Sequence, residues 1–181
     1  MGRDLPGVQQ ERPAKRGRQA QPSYLLIDSQ SVKTSHEGED RGFHGGKKVK
    51  GRSRQIAVDT EGNVWGVHVH AANGADTVEG CVLADLTLAE LPSVRAVCAD
   101  KGYRGTFTDY VEQEWEREVH ISAREGKGFE VEPKRWVVER TFAWFNGQRR
   151  LSKDYEKLTL CSEAMIYIAA LARSLRRLDF N

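Results

Sequence analysis

The sequence predicts a mixed α/β fold: three antiparallel strands followed by α/β crossovers, with helices on both faces of the sheet. Three observations predict it. "SYLLIDSQSV" and the hairpin pattern "RQIAVDTEGNVWGVHVHAA" place three strands in a row. From Asp76 onward, helical and strand patterns alternate. Two helical patterns then close the chain, which suits a sheet covered on both sides.

Each element follows from its local pattern. Residues 1–22 hold three prolines, several Arg and Lys and almost nothing apolar. They read as a disordered basic tail ahead of a domain over residues 23–181. Tyr24 to Ile27 form a short apolar run, a buried strand with Asp28 at its end. Residues 35–51 are rich in glycine and basic residues and read as a loop. In the hairpin, "TEGN" is the turn, and Val67 and Val69 alternate with His68 and His70. His68 and His70 are assigned no role, since polar residues are common on a half-exposed strand.

Residues 76–91 read as a helix with Val78, Val82, Leu86 and Ala89 on one face, and Pro92 lies just beyond it. "VRAVCAD" is the next strand, ending at Asp100. Residues 105–118 form an acidic helix whose apolar side is Phe107, Tyr110, Val111 and Trp115. "VHISA" is a short strand and "EGKGFEVEP" a loop. A helix over residues 134–148 is apolar almost all round. The last helix, residues 162–178, shows Ala164, Ile168, Leu171, Leu175 and Leu178 on a single face.

Composition narrows the class. Hydrophobic residues make up 39% of the 181-residue chain, enough for one core. No apolar run is long enough for a membrane span, and the start lacks a signal-peptide pattern, so the expected location is the cytoplasm. Cys81, Cys98 and Cys161 form no CxxC pair and read as buried small residues in a reducing compartment. The net charge is only +2, but it is unevenly spread. Arg41, Lys47, Lys48, Lys50, Arg52 and Arg54 follow one another with no acid between them, while residues 109–118 are acidic. Such segregation suits a polyanion partner.

The candidate site rests on three carboxylates. Asp28 and Asp100 end two strands that can be neighbours in a mixed sheet, and sites form at strand ends near a crossover. Like charges that close repel, and a divalent cation with hard oxygen ligands relieves the conflict. Glu139 stands in the middle of the apolar "KRWVVERTFAWFN" helix and needs a partner there. Arg135, Glu139, Ala143 and Asn146 share a helix face. Each residue also has a plainer reading: Asp28 and Asp100 as turn formers or caps, Glu139 as an ion pair with Arg135. Asp59 competes for a ligand position, although "DTEGN" accounts for it as a turn residue.

"IDSQSVKTS", "GKKVKGRSRQIAVDTEG", "ADKGYRG" and "WVVERTFAWFNGQRRLSKDYE" together resemble the catalytic half of bacterial DDE transposases, closest to the insertion sequence five group. The resemblance runs from about Tyr24 to Leu178. It implies an RNase H-like fold with Asp28, Asp100 and Glu139 as catalytic and metal-binding residues. It also implies two Mg²⁺ ions, replaceable by Mn²⁺, and metal-dependent DNA strand cleavage and strand transfer at the ends of an insertion sequence.

Further positions carry over from the same family. Tyr103 matches its DxGY motif, as a DNA contact or as packing. Arg135 matches the arginine of its Y-R-E-K signature and would hold Glu139 or a phosphate. Glu132 stands where that signature has tyrosine and Asn146 where it has lysine. Arg149, Arg150 and Lys153 are placed to supply the missing charge. With the basic run from Arg41 to Arg54, these residues are the expected DNA contacts, and phosphate contacts make such binding salt-sensitive.

Expected partners are element-end DNA, target DNA, further copies of the chain on DNA and an upstream reading-frame product. Full-length relatives carry an extra N-terminal region, so the chain reads as one product of a split frame or as a truncated remnant. Two alternatives stand beside the transposase reading: an RNase H-like nuclease without a transposition role, and a non-enzymatic DNA-binding remnant.

Overall fold

The computed structural model describes residues 21–122 and 135–179, with side chains as far as residue 177. Six strands form one mixed sheet. They are β1 (Tyr24–Lys33), β2 (Gly42–His44), β3 (Val49–Val58), β4 (Val64–Ala71), β5 (Ala96–Ala99) and β6 (Glu118–Ile121). The helices are α1 (Asp76–Leu88), α2 (Thr106–Glu114), α3 (Trp136–Asn146) and α4 (Thr159–Asp179). The sheet order is β2-β3-β1-β5-β6, and β4 also pairs with β3. β1, β3 and β4 run antiparallel, whereas β1–β5 and β5–β6 are parallel.

Strand alternation divides the apolar residues between two cores. Leu26, Ile56, Val67 and Cys98 face α3 and α4, meeting Val138, Phe142 and Ile166. Leu25, Ile27, Ala57 and Val97 face α1 and α2, meeting Leu83, Phe107 and Val111. Helices therefore cover both faces of the sheet, as expected. The hairpin turn is also as expected. Asp59 Oδ1 accepts the backbone N–H groups of Glu61 and Asn63 at 2.8 and 3.0 Å, and its Oδ2 accepts from Asn63 Nδ2 and Trp65 Nε1 at 2.8 and 3.1 Å. Gly62 beside it has φ +83°, a backbone setting that glycine adopts without strain.

Several local expectations are corrected. β1 does not stop at Asp28. It continues to Lys33 because β3 pairs with it as far as Lys33↔Gly51. The glycine-rich stretch before Gly51 is not all loop, since it holds β2 and the start of β3. Two helices bury a different face from the one periodicity suggested. In α1 the buried residues are Gly80, Leu83, Ala84, Thr87 and Leu88, while Val78 and Val82 are exposed. In α4 the buried stripe is Ser162, Ile166, Ala170 and Ser174, and Ile168 and Leu175 are exposed. Small residues win both faces because they allow close approach. A Cβ on Gly80 would lie 2.9 Å from the rings of Tyr103 and Phe107. Of the cysteines only Cys98 is buried; Cys81 is half-buried and Cys161 exposed.

Candidate active site

Parallel pairing of β1 with β5 builds the centre of the site. Leu26 pairs with Cys98, so Asp28 and Asp100 stand level, two residues further along each strand. β5 ends at Ala99, and β1 runs on without it. A crevice opens there, at the carboxyl end of β5. By alternation both aspartates lie on the face that α3 covers. A backbone N–H orients each carboxylate: Ser29 N to Asp28 Oδ1 at 2.7 Å, and Gly102 N to Asp100 Oδ1 at 2.8 Å. Asp100 thereby caps the single 3₁₀ turn Lys101–Tyr103, so the plainer capping role and membership of the pair coexist.

The proximity has an electrostatic consequence. Burial pushes the Asp28 carboxyl up to about 6, and the neighbouring Asp100 charge adds to the rise. The Ser29 N–H, Arg135 and Lys47 act in the opposite direction. Arg135, at the start of α3, and Lys47, in the turn between β2 and β3, thus both reach the field of the aspartate pair. Beneath it lies Tyr103, fully buried and edge-on to Phe107 at 5.2 Å between ring centroids. Burial raises its hydroxyl well above the ordinary range, reinforced by Asp76, Asp28 and Asp100. Tyr103 is therefore packing beneath the site. Its expected DNA contact is corrected, because no part of the ring reaches solvent.

Glu139 lies on the exposed side of α3, where Arg135 Nη2 holds its Oε1 at 3.1 Å. Arg135 therefore links the third carboxylate to the aspartate pair: it pairs with Glu139 and offsets the charge of Asp28. Among the described residues, no three His, Cys, Asp or Glu side chains converge closely enough to hold a metal ion. The donor set fits a divalent cation at Asp28 and Asp100, two adjacent hard carboxylates in conflict.

The expected DNA contacts separate into two groups. Lys47, Lys48 and Lys50 are exposed. Arg52 and Arg54 are corrected, being at most 1% exposed. Arg52 Nη1 bonds Asp154 Oδ2 at 3.2 Å, Ser162 Oγ at 3.0 Å and the Glu156 carbonyl at 3.0 Å. Its remaining donors reach the carbonyls of Glu39 and Lys157. Arg54 Nη1 donates to the Leu151 carbonyl at 2.7 Å. Both arginines hold the segment between α3 and α4 against β3. Arg41 is half-buried and donates to the His36 carbonyl at 2.7 Å.

Past α3, Arg149 is exposed, Arg150 pairs with Glu156 at 2.8 Å, and Lys153 lies over the Tyr155 ring at 5.7 Å. Asn146 is exposed at the end of α3, and Glu132 lies outside the described residues. The sequence reading also missed Trp136 and Trp144 as surface residues. Both sit at i, i+4 spacing around Arg140, whose guanidinium lies 4.3 and 4.6 Å from their ring centroids. That spacing was the available signal.

Residues 19–175 match the family described as "Transposase DDE domain". The chain belongs to that family. No curated protein matches it. Among solved structures, the transposase domain is similar to the catalytic core domain of BIV integrase, with a TM-score of 0.50 and 13% identity over 83% of this chain and 82% of that one. That likeness shows the fold, which is RNase H-like. Among the described residues of the domain, no helix is long and apolar enough to cross a membrane.

Proposed function

We propose that the domain, residues 23–181, catalyses metal-dependent DNA strand cleavage and strand transfer at the ends of an insertion sequence of the insertion sequence five group. The observation that carries this is the level placement of Asp28 and Asp100 at the crevice, with Arg135 and Glu139 on the helix covering it. Asp28 and Asp100 would hold divalent cations, Mg²⁺ by the hardness of the donors, with Glu139 completing the set. A metal pair supplies activation of water or a 3′-hydroxyl and stabilises the leaving oxygen. Asp28 must give up its proton to serve, and Lys47 and Arg135 favour that ionised form. Arg135 also positions Glu139 until the site assembles. The exposed Lys47, Lys48 and Lys50 suit phosphate contacts beside the pair. Self-association on DNA belongs to the same reading.

The test is cleavage of terminal DNA from the element in Mg²⁺. Wild type should nick the 3′ end, and Asp100→Ala should lose at least about a thousandfold in rate, the scale on which removal of a key catalytic group acts. Absence of nicking, or equal nicking by Asp100→Ala, overturns the proposal. The Arg135–Glu139 pair favours a second reading, a non-enzymatic DNA-binding protein. That reading predicts salt-sensitive DNA binding, unaffected by metal and without cleavage.

A further inference from the structure

The side of α4 that faces away from the core has no part in the acidic site. Ser162, Ile166, Ala170 and Ser174 face inward. The opposite side carries Ala164, Ile168, Leu171 and Leu175. Ala164, Ile168 and Leu175 are exposed and Leu171 is half-buried, with Ile168 still 57% open to water. Leu160, 67% exposed, borders the same stripe. Contiguous aliphatic surface of this kind marks an interaction face.

The spacing selects the partner. From Ala164 the steps run four, three and four residues, the apolar repeat of a coiled-coil seam. Leu160, Met165 and Ala172 flank the seam and carry no charge, so identical helices do not repel across it. A two-fold axis perpendicular to two such helices runs them antiparallel and sets the two apolar rows level with each other. Ile168 then meets the partner's Leu171, and Ala164 meets the partner's Leu175, a small side chain against a large one. Parallel pairing would place Ala164 against its own copy and leave a gap. The axis passes midway between Ile168 and Leu171, near the middle of the helix Thr159–Asp179, so the two helices overlap along their full length of about 30 Å. A seam about 10 Å wide covers roughly 300 Å² of each copy, below the ~800 Å² of a standard interface. Such a pair is weak and reversible.

We infer that α4 is a dimerisation helix, pairing antiparallel with α4 of a second copy of this chain, with Ile168 and Leu171 at the centre. The proposed self-association on DNA gains a surface by it, but the pairing itself needs neither DNA nor metal.

The experiment is sedimentation velocity of the full chain without DNA, from micromolar to submillimolar protein. Wild type should pass from monomer to dimer. Ile168→Glu should weaken the association by at least about tenfold, because it sets a charge at the centre of the buried seam. Val78→Glu, the matching change on an exposed valine of α1, should dimerise like wild type. Oxidation reads the direction. In a Cys161→Ser background, the chain carrying both Ala164→Cys and Leu175→Cys should form a covalent dimer, and neither single variant should. Covalent dimers from the single variants mean parallel pairing and overturn the inference. Ile168→Glu dimerising as well as wild type also overturns it, as does a wild type that stays monomeric throughout. In that last case maleimide labelling of Ile168→Cys separates the other occupants: slow labelling means that another segment of the same chain covers the stripe, and fast labelling leaves it for a different protein. A monomeric wild type that nicks terminal DNA in Mg²⁺ would remove the dimer and leave the proposed function standing.

Discussion

Asp28 stands just past the last residue pair that β1 shares with β5. Its carboxyl is raised from 3.8 to about 6, chiefly by burial. The sign of its effect on stability follows directly. Between pH 3.8 and about 6 the folded protein retains a proton that the unfolded chain has lost. The contribution of Asp28 therefore falls as pH rises through that window, and its full cost is present above it. Asp28→Asn removes the cost and should stabilise the metal-free protein at neutral pH by about 1–3 kcal/mol. Thermal unfolding at pH 7 and pH 4 checks this: the variant gains at pH 7 and not at pH 4. Added Mg²⁺ should raise the midpoint of wild type and not that of Asp28→Asn; a metal-free variant no more stable than wild type refutes the argument. An apolar run closed by a carboxylate exposed Asp28 and Asp100 in the sequence. The paired state of Glu139 was legible only as an alternative, because i, i+4 spacing permits a contact without deciding which partner wins.

At the scale of elements, β3 shows how charge can mislead. Six basic residues without an acid between them suggested one DNA-facing surface. From Gly51 onward β3 is covered on both sides, so Arg52 and Arg54 are buried, while Lys50 at its exposed start and Lys47 and Lys48 before it stay in water. The partners that make burial tolerable, Asp154 and Ser162, lie about a hundred residues away in sequence, and no local pattern announces them. Arg52 is fully buried and Asp154 is 1% exposed. Breaking such a pair leaves an unpaired charge in the interior, so Arg52→Ala should cost about 3–5 kcal/mol. Arg52→Lys should recover little, since one ammonium cannot reach all the acceptors that the guanidinium fork does. Urea unfolding gives the values, and a loss below about 1 kcal/mol would show that the network contributes no more than a surface pair. The α4 helix carries a related lesson. Its most apolar stripe faces outward, while Ser162, bonded to Asp154, belongs to the buried stripe. A buried hydrogen bond sets the rotation of the helix there, and hydrophobic periodicity does not report it.

Across the whole molecule, the succession of strands and helices from Asp76 onward and the two-sided helix cover followed from the alternation of patterns, whereas β2, the sheet order and the links between layers did not. His68 is the plainest case, since its place in the sequence suggested only a polar position on a strand. In the fold it joins three elements. Its Nε2 meets Glu79 Oε2 of α1 at 2.9 Å, and its Nδ1 lies 3.7 Å from Glu163 Oε1 of α4. Glu163 Oε1 also accepts the Val69 N–H at 3.0 Å, on edge strand β4. Helices from opposite faces of the sheet are thus tied at one imidazole. Burial lowers the affinity of His68 for a proton, but the Glu163 and Glu79 contacts outweigh it, and the net shift is upward from 6.5. His70 stacks on it at 5.3 Å between centroids and shifts downward, through burial and the His68 charge against the opposing pull of Glu79, the Ala71 carbonyl and Asp76. A raised histidine stabilises the fold fully below its unfolded value and loses that contribution as pH rises through the folded one. His70, neutral throughout that upper range, leaves the trend unchanged. The stability difference between wild type and His68→Gln should therefore be largest just below pH 6.5 and shrink steadily above it. Chemical denaturation of both proteins across that range measures the difference directly. A constant difference would mean that His68 joins the layers as a neutral hydrogen-bonding group, with its two glutamates held by other partners.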